Sequence, residues 1–517
     1  MLSNTSESDV NGIRGVLERR LPLLAMSCVA VVALLLRAHG LAAGLPYIAY
    51  IDEGHVLHPV MTMLTTGTWD PGWYRYPSLT PVSIVLSAVV VDWILQTGFL
   101  GQLIAEVPIH HREFYDMIGP TPLIFIGRAV VMIHGVVLVC LCGLVGRTIG
   151  NHWNAGLFSM GLCAVTPALV FRSSIVAVDT LASTYFVMAL LFSALVILKG
   201  PTNLLFVAGG ASAALAFTSK YQAGAALGAV AAAVLLVSGL SIPQRMKFVL
   251  VGILSFALTS VIAMPALAIR HAEVLSDIRT QMAIYASKSS NLTLAEQAIR
   301  GNELGYIWVL LFLVGCGGLF ASRHTRRVAV AWMFSVLPLL FVAFRFEYQP
   351  FRNLLPVIAT GCVIAGVSLS RIVGIAGGYR YLVLVAVVSY GLVLGWRSNS
   401  LMARHGSKTD SRTEIADWLV ENVGTDRSVL VEKELVFLPS ELVRLPQRVL
   451  PIEREDFFGG LEPSTGDVLV AGDSVKQEWA NRDPTITMLI TKGSRKTPRA
   501  PVHWRRNNQR IFVMLVP

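Results

Sequence analysis

Apolar runs close to the length of a membrane span follow one another through the first 396 residues. That repetition restricts the chain to a polytopic α-helical membrane protein. The runs fall at about 21–38, 123–145, 153–170, 180–198, 203–219, 222–238, 247–268, 305–321, 327–344, 353–372 and 380–396. A bilayer core takes roughly 20 apolar residues of helix, and helices satisfy their own backbone there. The pattern stops after Trp396. Residues 1–396 hold 24 Lys+Arg and 16 Asp+Glu, whereas 397–517 hold 18 and 16 in 121 residues, the charge density of a water-soluble domain. A transmembrane domain, 1–396, followed by a soluble domain, 397–517, is the organisation expected.

A twelfth run, about 78–100, is interrupted by Asp92, and loop charge decides its placement. With that run lying in the interface, loops 1–20, 146–152, 199–202, 239–247, 322–327 and 371–380 share a side. Those 56 residues carry 12 Lys+Arg and 3 acids, against 10 Lys+Arg in the 140 residues of the opposite loops. The positive-inside rule makes the denser set cytoplasmic. The expectation is then eleven spans, a cytoplasmic N-terminus and an extracytoplasmic tail. The net charge of +10 is in this light mainly a topology signal. With no basic module, it makes no case for nucleic acid. Cys28, Cys140, Cys142, Cys163, Cys316 and Cys362 all lie in apolar runs and read as small core residues, not bridges or ligands. The first run, with Leu41–Gly44 behind it, also resembles a signal peptide. An uncleaved anchor is preferred, because cleavage would untether the polar motif that follows.

The chemistry lies in the outer loops. Loop 39–122, at 84 residues, is too long for a mere connection. It carries Asp52-Glu53, then His55 and His58, then Thr66-Gly67-Thr68-Trp69-Asp70-Pro71-Gly72-Trp73 and Arg75-Tyr76-Pro77-Ser78-Leu79. Arg128, Asp179, Lys220-Tyr221 and Glu347–Arg352 emerge on the same side. Each has a plainer alternative: Asp52-Glu53 as acids complementing a helix dipole, Asp179 as a solvated span end, and Arg128, Lys220 and Arg352 as cations reaching headgroups. Converging from separate spans, they fit a site for an anionic substrate. His55 and His58 with Asp52 would line one helix face, a pattern open to a divalent metal. The chain has no Asp-x-Asp sequence, and hydrogen bonding to substrate is the preferred role for these histidines.

In these ordered features the chain resembles the dolichyl-phosphate-mannose protein mannosyltransferase and aminoarabinose lipid A transferase group, polytopic enzymes of the C-type glycosyltransferase fold. The features are Asp52-Glu53 after span one, TGTWDPGW and RYPSL in the first outer loop, Gly127-Arg128, Asp179, Ser219-Lys220-Tyr221 and YQPFRNLLP at Tyr348–Pro356. The resemblance covers about 20–370. It implies a polyprenyl-phosphate sugar donor, an extracytoplasmic active site and no required cofactor or metal. Where the aminoarabinose branch has Glu-Lys-Pro, this chain has Arg75-Tyr76-Pro77, so the donor contact made there does not carry over. A phosphate leaves without a general acid, so one carboxylate can suffice as base. Asp52 is assigned as base and Glu53 as its orienting neighbour. Arg128, Lys220 and Arg352 are candidates to hold the phosphate, with Arg75, Tyr76, Asp179, His55 and His58 as further substrate-binding candidates. Inversion at the anomeric carbon is implied.

Loop 269–304 is polar, with helical stretches. It fits either a cover that orders on donor binding or an ordinary connector, and it holds a sequon at Asn291-Leu292-Thr293. The tail reads as a small α/β domain, with a helix at Thr413–Asn422 and strands at Ser428–Val431, Asp467–Ala471, Thr485–Ile490 and Ile511–Val516. It serves as an acceptor-binding or packing module. A polytopic transporter or lipid flippase is the alternative function. It predicts charges at mid-bilayer on interrupted helices in paired halves. A scaffold presenting the tail leaves the acidic motif unexplained. The sugar, the polyprenol and the acceptor (protein, lipid or glycan) are not fixed by the sequence.

Overall fold

The structure, a computed structural model, describes residues 5–42, 51–96, 98, 101, 121–287, 306–321, 323–346, 350–375, 382, 385–386, 389–397, 411–432, 448–452, 468–472, 487–492 and 511–515. The sequon at 291–293 and residues Glu347–Gln349 lie outside the described residues. Two compact units are present: Met1–Leu41, Pro59–Gly98 and Ile126–Met402 form one, and Ala42–His58, Phe99–Phe125 and Ala403–Pro517 form the other.

The helices are α1 (Thr5–Ala38), α2 (Ile51–Thr66), α3 (Leu79–Leu95), α4 (Thr121–Gly150), α5 (Trp153–Val165), α6 (Pro167–Arg172), α7 (Val178–Lys199), α8 (Asn203–Ser219), α9 (Ala226–Leu236), α10 (Ile242–Ala263), α11 (His271–Ser287), α12 (Tyr306–Ala321), α13 (Arg323–Arg345), α14 (Leu355–Ile375) and α15 (Ser411–Asn422). Two 3-10 turns, Tyr221–Ala225 and Phe351–Leu354, precede α9 and α14. Among the described residues, five helices are long and apolar enough to cross a membrane: Pro122–Gly150, Val178–Lys199, Ile242–Ala263, Thr325–Arg345 and Phe351–Gly374. Shorter apolar helices accompany them, at Pro22–Ala38, Leu79–Leu95, Trp153–Val165, Asn203–Ser219 and Tyr221–Leu236.

Local sequence sets the helix ends. Gly200 stops α7 at φ 101°, a left-handed conformation that costs glycine little. Two residues later Thr202 starts α8, its hydroxyl accepting the Leu205 amide at 3.3 Å. The hairpin α7–α8 is thus written into Lys199-Gly200-Pro201-Thr202. At Gly210 a side chain would stand 2.2 Å from the Gly252 carbonyl, so α8 and α10 approach backbone to backbone.

The apolar run 153–170 is not one helix. Pro167 has no N–H to return to the Cys163 carbonyl, and the chain breaks at Thr166 into α5 and α6. Arg37, fully buried near the end of α1, closes the break. Its guanidinium donates to the Ala164 carbonyl at 3.1 Å and the Cys163 carbonyl at 3.3 Å. Basic residues of the short loops have similar local tasks. Arg245 donates to the carbonyls of Val234, Leu235, Val237 and Leu240, capping the C-terminus of α9. Arg147 lies 3.3 Å over the Trp153 ring.

In the tail, β1 (Ser428–Glu432), β2 (Arg448–Ile452), β3 (Val468–Gly472), β4 (Thr487–Lys492) and β5 (Ile511–Leu515) form one sheet in the order β2-β1-β3-β5-β4. β1 runs parallel to β2 and β3, while β5 runs antiparallel to β3 and β4. Ile415, Ala416 and Leu419 of α15 cover Val429, Val431, Val468 and Val470. β2 is not among the strands expected from the sequence, and its Pro451 cannot donate to a ladder. Its place at the sheet edge is where proline is tolerated.

Candidate functional site

The chain ends of four separate elements bring a polar cluster together. Asp179 stands in the first turn of α7, where its charge complements the helix dipole. Lys220 follows the last residue of α8 in extended backbone (φ −154°, ψ 116°), which turns its side chain out of the helical path. Lys220 is 8% and Asp179 3% exposed, and the lysine ammonium is hydrogen-bonded to the Asp179 carboxylate. The same ammonium donates to Asn353 Oδ1 at 2.7 Å. Asn353 sits in the turn Phe351–Leu354, beside the half-buried Arg352. Tyr285, from α11, is within hydrogen-bonding reach of Asn353. Burial, and then the Asp179 carboxylate, push the Tyr285 phenol above its ordinary pKa. A buried cation held by one carboxylate and one amide can take an oxyanion as a further acceptor, since an ammonium has three donors.

The remaining predicted residues are placed as follows. Asp52 and Glu53 occupy the first turn of α2 and are 7% and 0% exposed. In that first turn their charge complements the helix dipole. His55 and His58 follow on the same helix, both half-buried. Arg128 is fully buried in α4 and donates to the Leu41 carbonyl at 2.8 Å. Arg75 lies 5.9 Å from the Trp73 ring, and Tyr76 meets that ring edge-on at 5.7 Å. Among the described residues, no group of three or more His, Cys, Asp or Glu is arranged to hold a metal ion.

Asn353 and Tyr285 were not singled out from the sequence. Asn353 lies inside the YQPFRNLLP motif, next to Arg352, so the motif itself was the available signal. Nothing local marks Tyr285. The aromatic turn between α2 and α3 is held by specific hydrogen bonds. Tyr74 is 1% exposed, its amide donating to Asp277 Oδ2 at 2.7 Å and its phenol to Asp70 Oδ1 at 2.5 Å.

No family model and no curated protein sequence matches the chain. Solved structures do. The chain is similar to ArnT from Cupriavidus metallidurans bound to undecaprenyl phosphate, with TM-score 0.58, 13% identity, and 95% of this chain and 97% of that chain covered. The apo state of the same protein gives TM-score 0.58 at 15% identity, with 95% and 97% covered. The oligosaccharyltransferase AglB from Archaeoglobus fulgidus, in complex with an inhibitory peptide and a dolichol-phosphate, gives TM-score 0.50 and 11% identity, with 84% and 65% covered. The chain therefore shares the fold of these solved proteins, and five of its described helices are long and apolar enough to cross a membrane. At these identities the likeness is one of fold.

Proposed function

We propose that the chain is a membrane glycosyltransferase that moves a sugar from a polyprenyl-phosphate donor to an acceptor hydroxyl on the extracytoplasmic face. The carrying observation is Lys220, a buried cation placed by helix ends against Asp179 and Asn353, in a fold whose solved examples hold undecaprenyl phosphate or dolichol-phosphate. In this proposal Lys220, Arg128 and Arg352 hold the phosphate oxygens as negative charge grows on the departing group. Asp179 holds the Lys220 ammonium in place. Asp52 takes the proton of the acceptor hydroxyl, and Glu53 orients Asp52 or the acceptor. Attack opposite the leaving phosphate inverts the anomeric carbon. Arg75, Tyr76, His55 and His58 are assigned to binding of donor or acceptor, and the domain 397–517 to acceptor binding or packing. Eleven spans, a cytoplasmic N-terminus and an extracytoplasmic tail belong to the same proposal. A transporter would use broken helices as open binding positions, but the break between α5 and α6 is occupied by the Arg37 guanidinium.

The test is binding of undecaprenyl phosphate, with undecaprenol as control, to the purified full-length protein, read as thermal stabilisation in detergent. The phosphate-bearing lipid is expected to stabilise the protein and the alcohol is not. Lys220→Gln should weaken the effect about tenfold or more, the scale of one lost charge-assisted hydrogen bond. Equal stabilisation by both lipids would contradict a phosphate site.

A further inference from the structure

Hydrogen bonds join the turn between α2 and α3 to α11 and to Tyr221, the residue after Lys220. They start after Trp69, where Gly72 takes φ +64°. Asp70 Oδ1 accepts the Gly72 amide at 3.0 Å and the Tyr74 phenol, while its Oδ2 faces Arg270 Nε at 3.1 Å. From the fixed Tyr74, the amide donates to Asp277 Oδ2 at 2.7 Å, and the carbonyl accepts the Tyr221 phenol at 2.8 Å. Tyr221 is the residue directly after Lys220. Around these bonds Tyr74, Met264 and Val274 are buried together, with Tyr221, Leu267 and Ile278 against them. Two turns beyond Asp277, the same helix carries Tyr285 to Asn353, which in turn bonds Lys220.

We propose that Asp277 is a positioning residue for the Lys220 site. By holding the Tyr74 amide it fixes α11, so that Tyr285 supports Asn353 and Asn353 supports the lysine ammonium. A loose α11 would withdraw Tyr285, free the Asn353 amide to rotate, and leave Lys220 with only one fixed partner. In its kinetic arm this inference rests on the proposed lipid-phosphate donor. Its structural arm does not.

The experiment compares full-length wild type, Asp277→Ala, Asp277→Asn and Tyr285→Phe in detergent. Three quantities are read: amide hydrogen exchange across 271–287, the rate of Lys220 labelling by an amine-reactive ester, and KM and kcat for a polyprenyl-phosphate sugar. Asp277→Ala is expected to speed exchange in α11 and labelling of Lys220, and to raise the donor KM about tenfold, more than it lowers kcat. Asp277→Asn retains an acceptor for the Tyr74 amide and should restore all three. If Asp277→Ala does not fold, Tyr285→Phe tests the link to the site with the clamp intact: faster Lys220 labelling with unchanged exchange supports it, and unchanged labelling overturns it. Exchange that rises in Asp277→Ala without any change at Lys220 also overturns it. If the wild type uses no polyprenyl-phosphate sugar, the proposed function fails, while exchange and labelling still decide the role of Asp277.

Discussion

Lys220 and Asp179 lie 41 residues apart in sequence and share a buried ion pair across the ends of α8 and α7. A buried pair contributes little net stability over an apolar one, but removing one partner strands the other charge. Lys220→Met is therefore expected to destabilise the protein by about 3–5 kcal/mol. Adding Asp179→Leu should recover much of that loss without recovering the proposed transferase activity. Thermal melts of the single and double variants in detergent decide this. Additive losses would mean that the two charges are not coupled.

Arg37 makes a second test, this one of the fold. Its guanidinium donates to the two carbonyls left open at the Pro167 break, in a setting where bare carbonyls are costly. Arg37→Met should cost about 3 kcal/mol or more. Pro167→Ala should recover part of the loss in the Arg37→Met background, since it returns a backbone N–H to the Cys163 carbonyl. The same change in wild type should give no gain. A double-mutant cycle with no coupling would contradict the capping role.

The loop between α4 and α5 has a pH dependence whose sign is fixed by its geometry. His152 Nδ1 accepts the Ala155 amide at 3.3 Å, which requires an unprotonated nitrogen. Burial, and then Arg371, hold its pKa below the ordinary 6.5. A depressed folded-state value means that this contribution is complete above the unfolded value and is lost as pH falls. Between about pH 7.5 and about pH 5 the wild type should lose more thermal stability than His152→Asn, which keeps a neutral cap. Parallel curves would remove His152 from the account of acid sensitivity.

The histidines of α2 bear on metal dependence. The proposed chemistry uses a carboxylate base and protein cations, so EDTA treatment is expected to leave the transfer rate unchanged. A loss restored by a divalent ion would return His55, His58 and Asp52 to consideration as ligands.

How much of this was legible in the sequence follows from the range of the interactions. Asp52-Glu53, Asp179 and Lys220 stand out because a charge beside an apolar run is conspicuous without any knowledge of packing. The apolar runs likewise mark the helices, and alternation in the tail marks β1, β3, β4 and β5. Asn353 and Tyr285 are neutral or aromatic, and their significance comes from a lysine and a carboxylate on other elements. The Tyr74–Asp277 bond joins residues 203 apart, beyond the reach of any periodic pattern. Arg37 falls inside an apolar run, and its purpose appears only when Pro167 is known to lie beside it. β2 is not among the strands expected from the sequence, and its Pro451 suits it to a sheet edge.

The most direct measurement is sugar transfer from a radiolabelled polyprenyl-phosphate sugar by purified wild type and Asp52→Asn, with the anomeric configuration of the product determined. A positioned general base contributes about 10²–10⁴-fold, so Asp52→Asn should transfer at least about a hundredfold more slowly while still binding the lipid, and the wild-type product should be inverted. Transfer by Asp52→Asn at the wild-type rate, or a product with retained configuration, would contradict Asp52 as the base of an inverting transferase.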